Sequence, residues 1–169
     1  MRSINYWLVF VFLGILQIAL SVLFRLPILM TVSIFPMLIL YMPGNIGREK
    51  SLVLTFGISL AVDFFSDGML GLSAIALLPI ALLRLDILKL VSGEEIFINK
   101  RDIPAIHQKG LTMFTSIALA TALYFLVFVW VDAAGMRPFG FNVLRWLVST
   151  VVSSLVSYLC ATYVFSYKA

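Results

Sequence analysis

Apolar runs of bilayer length follow one another along nearly the whole chain, and this constrains the fold more than any motif does. Residues 6–24, 26–42, 51–66, 69–91, 111–131 and 143–165 are each dominated by aliphatic and aromatic side chains. About 20 apolar residues form a helix that crosses a hydrocarbon core of ~30 Å. Within that core only helices and closed barrels satisfy every backbone polar group. The runs therefore predict an all-α polytopic membrane protein with six transmembrane helices in a single integral membrane domain over 1–169. Composition agrees: 62% of residues are hydrophobic and 12% charged, against about 45–50% and about 25% in soluble domains. Six spans consume roughly 120 residues, which leaves only connections and no separate soluble domain.

The breaks between runs carry recognisable turn chemistry. The first run is too long for a signal-peptide core and lacks a small-x-small cleavage site, so it is expected to stay as an anchor. Arg25 and Pro27 end it. The second run, at 17 residues, is at the short limit for a span. Met42-Pro43-Gly44-Asn45 then reads as a turn, followed by the charged Arg48-Glu49-Lys50 in an aqueous loop. Asp67-Gly68 turns the third run into the fourth, where Pro79 predicts a kink. Residues 92–110 hold Glu94, Glu95, Lys100, Arg101, Asp102, His107 and Lys109 and form the one substantial polar loop.

Charge sets the orientation. With six spans, one face carries Arg2, Arg48, Lys50, Arg84, Lys89, Lys100, Arg101, Lys109 and Lys168, which is 9 of the 12 basic residues. The other face carries Arg25, Arg137 and Arg145. The positive-inside rule places the richer face, the 92–110 loop and both termini in the cytoplasm. The surplus of +4 and the pI of about 9.4 thus encode topology, and no nucleic-acid partner is expected. Trp7, Tyr41, Trp130, Trp146 and Tyr163 fall near predicted span ends, as interfacial aromatic belts require.

Residues able to carry bond chemistry are few. His107 has no second histidine or cysteine to complete a metal set, and Cys160 is the single cysteine. Asp63 and Asp67 lie on one segment four residues apart, so they share a helix face and do not oppose each other across a substrate. There is no glycine-rich phosphate loop followed by lysine. No cofactor and no enzymatic activity are expected.

Polar residues inside the runs remain to be explained. An acidic group within a span costs about 2.5–3.5 kcal/mol at the bilayer centre and usually faces the bundle interior. Asp63 is read either as a contact to another helix or a partner's span, or as an interface-level cap on the turn at 66–68. Arg84, Asp86 and Lys89 cluster near the end of the fourth span, where they either anchor it by snorkelling or, through Arg84 or Asp86, pair with a partner's charge. The sixth span carries Ser149, Ser153, Ser157 and Ala161 at every fourth position, a seam that lets another helix approach closely. Weaker versions are Gly57 with Ala61 and Ala118 with Ala122. Packing within the bundle and docking of a partner helix or a second copy are both compatible with such seams.

The stretch Val62-Asp63-Phe64-Phe65-Ser66-Asp67-Gly68-Met69-Leu70-Gly71-Leu72-Ser73-Ala74 resembles the segment that marks the rod-shape-determining MreD family. An aspartate is followed by a Ser/Gly turn, then Leu-Gly-Leu and a small residue opening an apolar helix. The hydrophobic N-terminus, the run ending in Leu-Arg-Leu-Asp-Ile-Leu, the polar loop and two closing spans extend the resemblance over essentially the whole chain. It implies a non-enzymatic component of the bacterial inner membrane that regulates cell shape within the cell-wall elongation complex. The implied partners are a bitopic MreC-like protein, a RodA-type glycosyltransferase with its class B penicillin-binding protein, and the MreB filament. On this reading Asp63, Asp67, Gly68 and Gly71 shape a turn where the bitopic partner's helix docks, and the 92–110 loop faces cytoplasmic proteins. The family's fold is similar to the substrate-binding S-component of energy-coupling-factor vitamin transporters, which gives an alternative function. The Ala-x-x-x-Ala pattern typical of the first span of S-components is missing from Gly14-Ile15-Leu16-Gln17-Ile18-Ala19.

Overall fold

The computed structural model describes residues 6–23, 30–43, 46–65, 69–93 and 110–165. Among them the chain is all-helical, with α1 (Tyr6–Leu23), α2 (Phe35–Leu40), α3 (Arg48–Phe65), α4 (Leu72–Ser92), α5 (Gly110–Ala133) and α6 (Phe139–Phe165). At 1.5 Å per residue, the 24 residues of α5 and the 27 of α6 rise about 36 Å and about 40 Å. Both are long and apolar enough to cross a membrane. Helix α4 packs against α3, α5 and α2, α5 against α6, and α1 against α3 and α2. The buried core is built around α2, whose residues are all buried.

The second segment departs from expectation. The sequence predicts one continuous helix over 26–42. Instead, within the described part, residues 30–34 are non-helical and only Phe35–Leu40 is helical. Six helical residues rise about 9 Å. Pro36, in the first turn of α2, explains the boundary. Proline has no N–H to give and its ring clashes with the preceding turn, so a helix tolerates it only at its start.

Other boundaries shift by a few residues. Arg48-Glu49-Lys50, expected in a loop, forms the exposed first turn of α3, where Glu49 sits favourably at the positive end of the helix dipole. Helix α4 runs through Pro79 without interruption. Tyr41, expected in an interfacial belt, is 1% exposed, and its hydroxyl donates to Met113 O at 3.4 Å. Trp146 is half-buried, with Nε1 donating to Ala122 O at 3.0 Å. Trp130 and Tyr163 remain exposed.

Two helices are amphipathic in the sense opposite to that of a water-soluble bundle. On α6, Arg145, Ser149, Ser153, Ser157 and Ala161 are buried, while Leu144, Leu147, Val151, Leu155, Leu159 and Tyr163 are exposed. On α3, Ser51, Thr55, Ser59 and Asp63 are buried, while Val53, Phe56, Phe64 and Phe65 are exposed. Both faces follow helical spacing.

Candidate functional site

The non-helical stretch 30–34 is where buried polar side chains from α1 and α6 meet. Leaving the helix frees backbone donors and acceptors that must be paired when buried. On one side α6 pairs them: Thr31 N donates to Ser149 Oγ at 3.1 Å, and Ser33 N donates to Ser153 Oγ at 3.1 Å. Ser153 Oγ donates in turn to Thr31 O at 3.3 Å, and Ser157 Oγ to Ser33 O at 3.5 Å. From α1, Gln17 Oε1 accepts Ile34 N at 2.7 Å, and its Nε2 donates to Val32 O at 3.4 Å. Odd and even residues thus address opposite sides, as along a strand, up to Ile34, whose φ of −100° and ψ of −2° already lie in the helical region.

The spacing makes this pairing possible. Residues i and i+4 of a helix are about 6.0 Å apart along the axis, and residues i and i+2 of an extended chain about 6.6 Å. Serines at every fourth position of α6 therefore stay in register with every second residue of the stretch. The predicted seam is real, but its target is backbone and not a second helix. Ala161, the last member, is fully buried.

The network continues into the other helices. The Tyr124 hydroxyl on α5 shares hydrogen bonds with the Ser33 and Ser73 side chains, in the field of the Asp63 carboxylate. Asp63, 3% exposed, accepts Gly71 N at 2.9 Å and Ser73 N at 3.1 Å through Oδ2. It thereby caps the N-terminus of α4 from α3, satisfying amides that the helix leaves unpaired. Among the described residues the cap sits on Gly71 and Ser73; the turn at 66–68, where one expectation put it, lies outside them. Gly71 is needed for its backbone, since its φ of +90° lies in the left-handed region, which costs an L-residue about 1–2 kcal/mol. Asp67 and Gly68 lie outside the described residues.

At the other end of the fourth helix the predicted charged cluster divides. Arg84 is fully buried and bonds Met42 O at 3.2 Å and, more closely, Ile46 O. Its expected outward roles, snorkelling or pairing with a partner, give way to holding the chain that leaves α2. Asp86 points outward and pairs with Arg48 at 2.8 Å, both side chains 54% exposed. Near the α5–α6 connection, Arg137 and Arg145 both donate to Asp132 Oδ2, and Arg145 also reaches Thr31 Oγ1 at 3.2 Å. This ties the connection to the non-helical stretch.

Two other small-residue pairs behave differently from the serine seam. Gly57 and Ala61 face outward on α3, and a Cβ added at Gly57 would meet no atom within 4 Å. Ala118 and Ala122 are half-buried. Gln17, Thr31, Ser33, Ser73, Tyr124, Asp132 and Arg145 were not singled out from sequence as members of the network. Gln17 was the visible signal among them, the one amide side chain in a largely apolar 18-residue helix.

Among the described residues the architecture is all-helical, with two membrane-length helices and polar side chains buried beside an apolar core. Comparison with protein-family models, with curated proteins and with solved structures finds no match.

Proposed function

We propose that this chain is a multi-pass protein of the bacterial inner membrane, with both termini cytoplasmic, that serves as a non-enzymatic scaffold in cell-wall elongation. The inverted amphipathicity of α3 and α6 supports membrane insertion, because exposed apolar stripes opposite buried serines suit a hydrocarbon solvent and not water. In this placement the second segment crosses in two halves. Ile34 already has helical backbone angles, so residues 30–33 add at most about 13 Å to the ~9 Å of α2. Non-helical backbone at membrane depth is tolerated where protein surrounds and pairs it.

The observation that carries the scaffold reading is the outward face of α3. Its own polar stripe is buried, yet Gly57 and Ala61 turn to the outside with open space above Gly57. A small-x-x-x-small face lets a second helix approach closely enough for extensive van der Waals contact. A single-span, MreC-like partner is the occupant suggested by the MreD resemblance, which also supplies the wall-synthesis context, including the RodA-type glycosyltransferase, its class B penicillin-binding protein and the MreB filament. The mechanism is stoichiometric binding.

A vitamin-transporter S-component is the second reading. It draws support from the discontinuous second segment, since transporters build solute sites from unwound helices near the midplane. Here the carbonyls of 31–33 and the amides of 31, 33 and 34 are engaged by Gln17 and the α6 serines.

Affinity purification of the tagged chain from gently solubilised native membranes tests both. The scaffold reading expects a bitopic MreC-like protein and wall synthases to co-purify, and Gly57→Leu with Ala61→Leu to lose the bitopic protein without loss of helix content. Recovery of ATPase subunits with a coupling membrane protein would replace the scaffold by the transporter.

A further inference from the structure

Arg137 and Arg145 share one carboxylate at the end of the α5–α6 hairpin. Both donate to the same oxygen of Asp132, so the three groups sum to one positive charge. Arg145 is nine-tenths buried, and its Nε is a buried donor with no partner among the described residues. Asn142, 5% exposed and one helical turn before Arg145, has a buried Oδ1 that is likewise unpartnered among them. Buried polar atoms left this way are uncommon and costly. Here an unpartnered donor and an unpartnered acceptor lie one helical turn apart on the helix that carries this excess positive charge.

The surroundings narrow the ligand. The Arg137 side chain is 36% exposed and lies 5.9 Å above the Phe141 ring. Trp130 and Phe139 meet edge to face at 6.0 Å, and Met136 is 90% exposed. Arginine beside an aromatic and apolar rim matches the headgroup level of a bilayer, where amphipathic rings concentrate. The first turn of α6 adds the positive end of a 27-residue helix. By the charge bias this hairpin end lies on the face opposite the basic loops, so orientation does not account for its two arginines.

We infer that the end of the α5–α6 hairpin binds the phosphodiester of an anionic phospholipid. The guanidinium fork of Arg137 matches phosphate oxygens, and a hydroxyl-bearing headgroup supplies a donor for Asn142 Oδ1. The inference rests on the membrane placement above but not on any protein partner.

The test reconstitutes the full chain in nanodiscs of phosphatidylcholine with phosphatidylglycerol and quantifies the lipid that stays bound on detergent extraction. Phosphatidylglycerol is expected to be enriched about fivefold over its share of the bilayer, the ratio given by ~1 kcal/mol per basic residue near a membrane surface. Arg137→Gln abolishes the enrichment at unchanged helix content, whereas Arg48→Gln, in the exposed pair with Asp86, retains it. Arg145→Lys, with the charge kept and the fork removed, lowers it. Equal retention of both lipids by the unaltered chain, or unchanged enrichment in Arg137→Gln, overturns the inference. So does stabilisation in pure phosphatidylcholine discs by inorganic phosphate alone to the same extent, which would assign the site to free phosphate. Release of the chain from membranes by alkaline carbonate would instead refute the membrane placement.

Discussion

Ser153→Ala is the substitution that most directly probes the hold of α6 on the second segment. Ser153 Oγ accepts Ser33 N and donates to Thr31 O, and Ser33 is 1% exposed. Removing the hydroxyl leaves a buried N–H without its acceptor, a penalty of about 1–3 kcal/mol. The second bond, at 3.3 Å, adds less. Side-chain hydrogen bonds between membrane helices average only about 0.6 kcal/mol, because the unfolded reference state finds partners too. A backbone amide held outside a helix has fewer alternatives, so about 2 kcal/mol is expected, up to roughly a thirtyfold change in the folded ratio. Ser149→Ala should cost about half as much, since Thr31 is only half-buried and its amide can find other acceptors. Ser154→Ala is the control: its hydroxyl bonds Val151 O within the same helix at 2.9 Å, a contact worth a few tenths of a kcal/mol or less. Reversible unfolding in bicelles or in detergent of rising SDS fraction measures all three. If Ser153→Ala and Ser154→Ala unfold at the same midpoint, the backbone of 31–33 is not held by α6 and the network described here is wrong.

Three further outcomes follow from named contacts. Arg84→Met removes charged donors from Met42 O and Ile46 O; at about 1.5–3 kcal/mol per such bond, unfolding measurements should register a loss of about 3 kcal/mol, and Arg84→Lys should recover only part because an ammonium cannot reproduce the fork. Gly71→Ala should cost about 1–2 kcal/mol for its left-handed φ, and Asp63→Ala about 1 kcal/mol for the lost cap, both read from the same unfolding midpoints. Arg48→Ala breaks an exposed pair with Asp86, so its effect should stay below about 1 kcal/mol and shrink further when the measurement is repeated at high salt.

How far the fold is legible in the sequence depends on the range of the interaction concerned. Apolar run length located α1 and α3 to α6 to within a few residues, because a helix in an apolar setting is decided locally by its own hydrogen bonds. It failed at the second segment, where 17 apolar residues suggested a helix that forms over only six. The local warning was Pro36, which a helix accommodates only in its first turn, together with Thr31 and Ser33 spaced as on a strand. The serine seam was legible from its period, but not its target, which lies 118 to 124 residues away in sequence. Asp63 offered two readings from sequence; the described amides it accepts belong to Gly71 and Ser73 at the start of the next helix, partners that no local rule specifies. Arg84 shows the converse limit. Near a helix end an arginine ordinarily snorkels, and only the position of two carbonyls from another segment turns it inward.

The inverted sidedness of α3 and α6 and the broken second segment are two parts of one solution. A straight apolar second helix would leave the α6 serines and Gln17 without backbone to pair, and buried hydroxyls without partners are destabilising. A non-helical stretch without those side chains would leave its own buried amides unpaired. Each requires the other, and the near-equal advance of four helical and two extended residues lets one register serve both. Gln17, Asp63 and the α6 serines are thereby turned inward to hold the chain's own backbone and helix termini. On the readings proposed above, recognition of another molecule falls to what remains outside: the Gly57 and Ala61 face of α3 for a helix, and the arginine-bearing end of the α5–α6 hairpin for an anion.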